Sequence, residues 1–96
     1  RGAAEQPYET ALLGRDVMEL ALFMLEKGNK NAASDASVGC LMAYAALRGS
    51  LHNVRINLPS LKDQAYKANM QRKTAELEAL GENLLTKHRR LCAELI

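Results

Sequence analysis

Two helical patterns meet at the nine residues Gly28-Asn29-Lys30-Asn31-Ala32-Ala33-Ser34-Asp35-Ala36. Gly28 and Asn29 tolerate left-handed backbone, which is a common way to end a helix. Ser34 is a favourable N-cap residue, so we expect Asp35 in the first turn of the following helix. This stretch therefore predicts a joint between two helices, and the chain should begin as a helical hairpin.

Before this joint, helical spacing predicts a first helix over about residues 7–27. Pro7 suits the first turn, where its missing N–H is not needed. Apolar residues recur at every third or fourth position, which indicates a buried stripe along one side. That stripe consists of Leu13, Val17, Leu20 and Met24, with Ala21 and Leu25 beside it.

After the joint, a second helix is expected over about residues 35–58, because Pro59 pushes Leu58 out of helical geometry. Its apolar stripe comprises Leu47, Leu51, Val54 and Leu58. A second stripe combines small residues, which allow close backbone approach, with amide side chains on an otherwise packed face. Its members are Gly39, Met42, Ala46, Gly49, Asn53 and then Ile56 or Asn57.

A third helix is predicted over about residues 61–96, with Ser60 as N-cap and Asp63 three positions on, similar to a capping box. Apolar residues three or four apart form a heptad-like seam of Tyr66, Met70, Leu77, Leu80, Leu84, Leu91 and Leu95. About 35 helical residues make a rod of roughly 50 Å. The sequence thus predicts an all-α bundle of three helices, whose long last helix packs against a missing half or a second subunit.

The composition restricts the classes of function. The chain has 96 residues, enough for one domain, and 13 Lys and Arg against 11 Asp and Glu give a net charge of +2. This near balance argues against a strongly basic nucleic-acid binder, so no nucleic-acid partner is expected. The longest apolar run, Cys40–Leu47, is far shorter than the roughly 20 residues that span a bilayer, so no membrane partner is expected.

Two features concern the context of the chain. It opens with Arg1-Gly2 rather than Met and shows no signal-peptide pattern, so we expect its start to lie inside a longer product. Cys40 and Cys92 lie far apart and have no CxxC or His-rich neighbours. Buried or idle thiols in a reducing cytosol are therefore favoured over a disulfide, which predicts a cytoplasmic location.

Three groups of polar residues could carry chemistry. The joint around Asp35 could hold an anion or position a carboxylate, although a plain turn is favoured on local grounds. Asn53 and Asn57 are four apart and share a helix face. They could recognise a polar ligand or bond a neighbouring backbone, and the residues alone leave both open. Arg48 and Arg55 could meet an anionic ligand tail, although such a pair is more often a solvated edge.

Metal and thiolate chemistry are not expected. Neither His52 nor His88 has a second His or a carboxylate at metal-ligand spacing, so no metal site is predicted. Cys40 has no basic residue nearby in sequence that would activate its thiolate.

Two motifs, together with their spacing, resemble those of the cyclodeaminase/cyclohydrolase family. Gly-Asn-x-x-Ala-x-Ser-Asp-Ala at residues 28–36 is followed seventeen residues later by Asn-Val-x-Ile-Asn-Leu at residues 53–58. Ala-Leu-Arg-Gly-Ser at residues 46–50 and Asp63 after the proline extend the resemblance. Family domains are longer, and a Pro-Gly-Gly-Gly-like loop in their N-terminal half has no match here. Residues 1–96 therefore resemble the C-terminal part of a single cyclodeaminase-like domain, and we expect this part alone to be inactive.

The resemblance implies an all-helical, dimeric, cytosolic enzyme that acts on a one-carbon unit of tetrahydrofolate and uses no metal or redox cofactor. As a cyclodeaminase, it would close a ring between N10 and the formimino carbon on N5 and release ammonia. As a cyclohydrolase, it would add water to the methenyl carbon and reopen the ring. Both reactions pass through a tetrahedral centre and need proton transfer. The protein partner is expected to be a second copy or the protein's own N-terminal half.

The resemblance also assigns roles to residues of the two motifs. Asp35 is the candidate proton carrier or cation stabiliser, because it is the only carboxylate within either motif. Hydrogen bonds to the pterin or the reacting nitrogens would come from Asn29, Asn53 and Asn57. Weaker candidates for the glutamate tail are Arg48 and Arg55. In this hypothesis Asp35, Asn53 and Asn57 converge on one folate-sized cavity, which the missing half or a second subunit could complete.

A hypothesis of a different class is a non-catalytic helical module for binding or assembly. It explains the heptad-like seam, the small-residue stripe and the short length without any chemistry. The two hypotheses differ in whether the polar motif residues face an open cavity or a packed helix contact.

Overall fold

The computed structural model describes residues 2–28 and 30–95, nearly all of them in three α-helices. Helix α1 spans Gly2–Lys27, α2 spans Lys30–Asn57 and α3 spans Gln64–Leu95. A 3-10 turn at Leu58–Ser60 joins α2 to α3. No strand occurs in the described residues, and the prediction of an all-α bundle of three helices is confirmed.

The joint between α1 and α2 is shorter than predicted. The N–H of Gly28 still donates to the carbonyl of Met24 at 2.6 Å, so helical bonding continues to the edge of the joint. Because α2 already begins at Lys30, Ser34 and Asp35 lie in its second turn, and the N-cap predicted at Ser34 is wrong. Lys30 and the three residues after it include no strong helix breaker, so nothing stops the helix from extending back beyond Ser34.

Helix α1 begins five residues before Pro7, so the prediction that Pro7 lies in the first turn is also wrong. A proline at this position removes one backbone hydrogen bond, whose acceptor would be the carbonyl of Ala3. The extra turn is held by Ala4, which is fully buried in a cluster with Val54, Leu58 and Met70. Tertiary packing therefore outweighs the local cost of the proline.

Helix α3 begins one turn later than predicted, because Leu61 has extended backbone and interrupts the helical path after Pro59. Its N-cap is Asp63, whose Oδ1 accepts a hydrogen bond of 3.0 Å from the N–H of Tyr66. The N-cap predicted at Ser60 is wrong. The hydroxyl of Ser60 instead donates to the carbonyl of Asn57 at 3.0 Å, which closes the 3-10 turn.

The three helices run up, down and up along a rod that measures 50 × 17 × 16 Å. Helix α2 folds back against α1, and α3 returns in the direction of α1. Two contacts fix that direction, since the Lys73 ammonium lies 4.7 Å from the centre of the Tyr8 ring and Lys87 pairs with Glu26 at 2.9 Å. In the part of the chain described here, no helix is long and apolar enough to cross a membrane.

Leu47 lies where all three helices meet and is fully buried. A Cβ placed on Gly14 of α1 would come within 3.2 Å of the Leu47 Cβ and 3.1 Å of the Ala43 carbonyl oxygen. A Cβ on Gly81 of α3 would come within 2.9 Å of the Leu47 Cδ2. A side chain at Gly14 would therefore crowd the backbone of α2, whereas one at Gly81 would displace the end of the Leu47 side chain.

The buried side of α1 is not the stripe that the spacing predicted. Exposed fractions of the predicted stripe are Leu13 64%, Val17 49%, Leu20 59% and Met24 48%. The side chains that α1 buries are instead Ala4, Ala11, Met18, Ala21, Leu22 and Leu25. Between residues 17 and 25 this helix is apolar on almost every side, so periodicity alone does not select the buried face.

Helices α2 and α3 follow their predicted patterns more closely. The predicted apolar stripe of α2 is buried throughout: Leu47, Leu51, Val54 and Leu58. From the predicted seam of α3, Met70, Leu77 and Leu91 are buried, whereas Leu95 is 39% exposed. The core therefore lies between the hairpin of α1 and α2 and one side of α3.

Candidate functional site

One side of the α1–α2 hairpin is left uncovered by α3, and it combines apolar and small residues. Helix α1 contributes Leu13, Val17, Leu20 and Met24, and α2 contributes Gly39, Met42, Ala46, Gly49 and Asn53. We call this surface the hairpin face. It contains both the α1 stripe that was predicted to be buried and the small-residue stripe of α2. Two cavities lie along it, one towards each end.

The first cavity holds Asp35 and has a volume of about 340 Å³. Its walls are otherwise apolar, with Val17, Leu20 and Met24 from α1 and Gly39 from α2. Asp35 is exposed and is the only ionisable residue in the lining. A carboxylate surrounded by apolar walls can contact a flat cationic ligand without competition from other protein charges.

The second cavity, of about 420 Å³, is lined largely by polar side chains. Its lining residues are Ala3, Gln6, Pro7, Thr10, Ser50, Asn53 and Asn57. The Asn57 side-chain amide donates to the Asn53 carbonyl at 2.8 Å, a bond within α2 rather than to a neighbouring helix. The Asn53 side chain is exposed and lines this cavity.

Asp35 and Asn53 lie on the same side of α2, but far apart. They are separated by eighteen residues, which is five turns of helix and about 27 Å. Within the described chain, Asp35 lines one cavity, whereas Asn53 and Asn57 line another. Their predicted convergence on one cavity is therefore not observed within a single copy. Asn29, the fourth predicted polar contact, lies outside the described residues.

Arg48 and Arg55 point away from the hairpin face, towards α3. Both bind Glu78: Arg48 donates to its Oε2 at 2.5 Å, and Arg55 forms two bonds of 2.9 Å to both carboxylate oxygens. The hydrogen bonds from Arg55, and to a smaller extent the one from Arg48, lower the pKa of Glu78. The hydrogen bond to Glu78 in turn raises the pKa of Arg55. A second contact on this side joins the Tyr44 hydroxyl to Glu82 at 2.5 Å.

Sequence reasoning did not find Glu78, because nothing in the local pattern of α3 distinguishes it from the other acidic residues there. The arginines were visible in the sequence, but their partner lies more than twenty residues away on another helix. A similar long-range contact involves His88, which is buried and bonded to the Ser37 hydroxyl at 2.8 Å. His52, by contrast, is exposed. Among the residues described, no cluster of His, Cys, Asp and Glu could hold a metal ion.

Comparisons with known proteins match the chain to a protein family and to a relative. The family model described as formiminotransferase-cyclodeaminase matches residues 1–76, which include Asp35, Asn53 and Asn57. The methenyltetrahydrofolate cyclohydrolase of Methylorubrum extorquens is 40% identical over 78 residues. That alignment covers 81% of this chain and 36% of the relative, so the chain spans just over a third of the relative's length.

Both matches confirm the resemblance expected from the two motifs at residues 28–36 and 53–58. On the extent of the family match and the identity to the relative, this chain belongs to the formiminotransferase-cyclodeaminase family.

Proposed function

We propose that the protein acts in one-carbon folate metabolism, as a methenyltetrahydrofolate cyclohydrolase or a formiminotetrahydrofolate cyclodeaminase. The observation that carries the proposal is the location of Asp35, a single carboxylate in an apolar cavity within the segment that matches the family. Family membership favours this hypothesis over a non-catalytic assembly module. The cytoplasmic location stays a prediction of the sequence.

Asp35 has a defined task in the cyclohydrolase reaction. The methenyl carbon sits between two nitrogens that share a positive charge, and the carboxylate stabilises that cation as the substrate binds. Water then adds to the carbon, and Asp35 accepts the proton that the water loses. As the bond from this carbon to N5 breaks, the first proton passes from Asp35 to N5. The remaining hydroxyl loses its proton to solvent and becomes the formyl carbonyl, so the products are the 10-formyl compound and one released proton.

In the cyclodeaminase reaction the same carboxylate serves the formation of the ring. N10 attacks the carbon of the protonated formimino group on N5 and loses a proton, which Asp35 carries to the departing amino group. Ammonia leaves, and the positively charged methenyl carbon forms beside the carboxylate. The relative's name favours the first reaction and the family's description favours the second.

The proposal gives the other predicted residues supporting roles. Asn53, Asn57 and Asn29 hydrogen-bond polar groups of the folate, and Arg48 and Arg55 are the weaker candidates for its glutamate tail. A tail carboxylate would have to compete with Glu78 for both guanidinium groups. Because Asn53 is about 27 Å from Asp35 along α2, it would contact a different part of the ligand, or a ligand bound to another copy.

We also propose that the hairpin face packs against the hairpin face of a second copy. Its exposed side chains are apolar or small, and a contiguous apolar surface of this kind is typical of protein interfaces. If two copies pack antiparallel about a two-fold axis, the Asn53 end of one copy lies opposite the Asp35 end of the other. The alternative is that the hairpin face packs against the protein's own N-terminal part. In that case the full-length protein would be a monomer when its oligomeric state is measured.

The test of the proposed activity uses the full-length protein with 5,10-methenyltetrahydrofolate and, separately, 5-formiminotetrahydrofolate. Faster loss of the methenyl absorbance identifies the cyclohydrolase, and release of ammonia with formation of methenyl identifies the cyclodeaminase. The Asp35→Asn variant should lose turnover by at least about a hundredfold, the usual range for a proton-transfer group. Helicity should not change, because Asp35 is not at the start of α2.

The matched control is Asp16→Asn, an exposed aspartate of α1 that pairs with Arg15. It should leave both activities unchanged. Full turnover by Asp35→Asn, or equal loss in both variants, would contradict the role of Asp35. A folded protein that acts on neither folate would support the assembly module instead.

A further inference from the structure

A third cavity lies between the end of α2 and the first half of α3, with a volume of about 320 Å³. It is lined by Arg55, Leu58, Pro59, Lys67, Gln71 and Thr74. Arg55 is twenty residues from Asp35 on α2, about 30 Å along the helix and on its other side. The cavity is therefore separate from the proposed catalytic site on the hairpin face.

Thr74 is the deepest residue of this cavity, since it is only 1% exposed and yet lines the wall. Its hydroxyl has no hydrogen-bond partner among the described residues. A threonine within a helix can usually donate to the carbonyl four residues before it, but Thr74 does not. Buried hydroxyls are rarely left without a partner, so Thr74, which lines this cavity, carries an unused donor.

Positive charge surrounds the same space. Lys67 is half-buried and forms no ion pair in the described part of the chain. Arg55 uses two of its five donors for Glu78, which leaves three for another acceptor. The side-chain amide of Gln71 adds further donors. Hydrogen-bond donors thus outnumber acceptors in the lining. Glu78 neutralises the charge of Arg55 but not that of Lys67.

We propose that this cavity binds a small oxyanion, a carboxylate or a phosphate group carried on a compact apolar body. Lys67 and Arg55 bind the charged oxygens, the Thr74 hydroxyl donates to one of them, and Leu58 and Pro59 contact the apolar part. The same oxygens satisfy the hydroxyl that the protein leaves without a partner. The site shares Arg55 with the contact proposed for the glutamate tail of the folate. Its test measures anion binding and no turnover, so either proposal can fail alone.

The test is an NMR titration of the isotope-labelled chain with sodium glutarate and, separately, with inorganic phosphate. Chloride keeps the ionic strength constant, so that general charge screening does not change during the titration. Saturable shifts of the backbone amides of Lys67, Gln71 and Thr74 are expected with at least one probe. Saturation by glutarate alone identifies a carboxylate site, and saturation by phosphate alone identifies a phosphate site.

Two variants test the residues. Lys67→Gln should weaken binding about tenfold, the effect of losing one charge-assisted hydrogen bond. Lys62→Gln changes the same charge on an exposed residue outside the lining and should leave the affinity unchanged. Thr74→Val keeps the shape of the side chain, so it should weaken binding about fivefold without lowering the melting temperature.

Three results would overturn the proposal: no saturable shift with either probe, equal weakening by both lysine variants, or unchanged affinity in Thr74→Val. If Thr74→Val fails to fold, the comparison of the two lysine variants decides the question, because neither lysine belongs to the buried core.

Discussion

At the scale of single residues, Leu47 has the largest structural role. It fills the space left by two glycines on the neighbouring helices and has no exposed surface. The sequence predicted that Leu47 would be buried, because it belongs to the clear apolar stripe of α2. It did not reveal that Gly14 and Gly81 would face the same side chain, since that pairing joins residues distant in the chain.

We expect Leu47→Ala to destabilise the protein by about 2–5 kcal/mol, because it leaves a cavity at the meeting point of three helices. Urea denaturation monitored by helicity measures the change. Leu41→Ala is the control, since Leu41 is 47% exposed; its effect should remain within about 0.5 kcal/mol. Equal effects in the two variants would contradict the packing of Leu47.

A second prediction at this scale compares Asp63 with Ser34, two residues that the sequence places near the start of a helix. Asp63→Ala should cost about 1 kcal/mol, because Asp63 caps α3 through the N–H of Tyr66. Ser34→Ala should have no measurable effect, because Ser34 is exposed inside α2 and not at its start. Measuring the free energy of unfolding of each variant tests both expectations. A larger loss of stability in Ser34→Ala than in Asp63→Ala would mean that Ser34 caps α2, as the sequence predicted.

At the scale of elements, α2 and α3 are joined by charged contacts as well as by the core. Glu78 binds Arg48 and Arg55 together, and Arg48 also lies 3.6 Å from Glu82. Such groups of exposed charges contribute more than isolated pairs, because one ordered side chain serves several contacts. The contacts connect the second half of α2 to the middle of α3.

Glu78→Gln should reduce stability at neutral pH by about 1 kcal/mol. The effect is no larger because both arginine side chains are partly exposed to solvent. The pKa of Glu78 is lowered in the folded state, so its contribution is present above the unfolded pKa of about 4.3 and is lost as the pH falls through the folded value. Urea unfolding between pH 7 and pH 3 should therefore show the variant and the parent protein converging in acid.

Glu76→Gln provides the control for this series. Glu76 lies two residues away on α3 and forms an exposed pair with Arg72, four residues before it. Its removal should change stability by less than about 0.5 kcal/mol at any pH. A pH dependence of the same size in both variants would mean that Glu78 has no special partner.

The elements also show what the sequence could and could not predict. Pro59 and the pair Gly28-Asn29 located both joints, because turn residues act locally. The buried side of α1 was missed, because apolar residues from Val17 to Leu25 occupy almost every side of the helix and only packing against α2 decides between them. The candidate site was found in part: Asp35 was identified by its motif, whereas its apolar walls were assigned to the core.

At the scale of the whole molecule, the chain is a rod of 50 × 17 × 16 Å with an uncovered apolar side. Met42 is the most exposed large apolar residue of that side, at 69%. Met42→Glu should therefore prevent self-association by placing a charge in the contact. Sedimentation of the variant and of Ala75→Glu, a matched change on the exposed surface of α3, measures this effect. Association that persists in Met42→Glu would exclude the hairpin face as the contact.

The uncovered hairpin face also affects how the stability of this chain should be measured. If folding and association are coupled, the folded form is favoured by mass action, and no single melting temperature describes the protein. Dilution alone would then lower the melting temperature, without any change in sequence, buffer or pH. Two laboratories that compare the same variant at different protein concentrations could disagree about its stability while both measure it correctly.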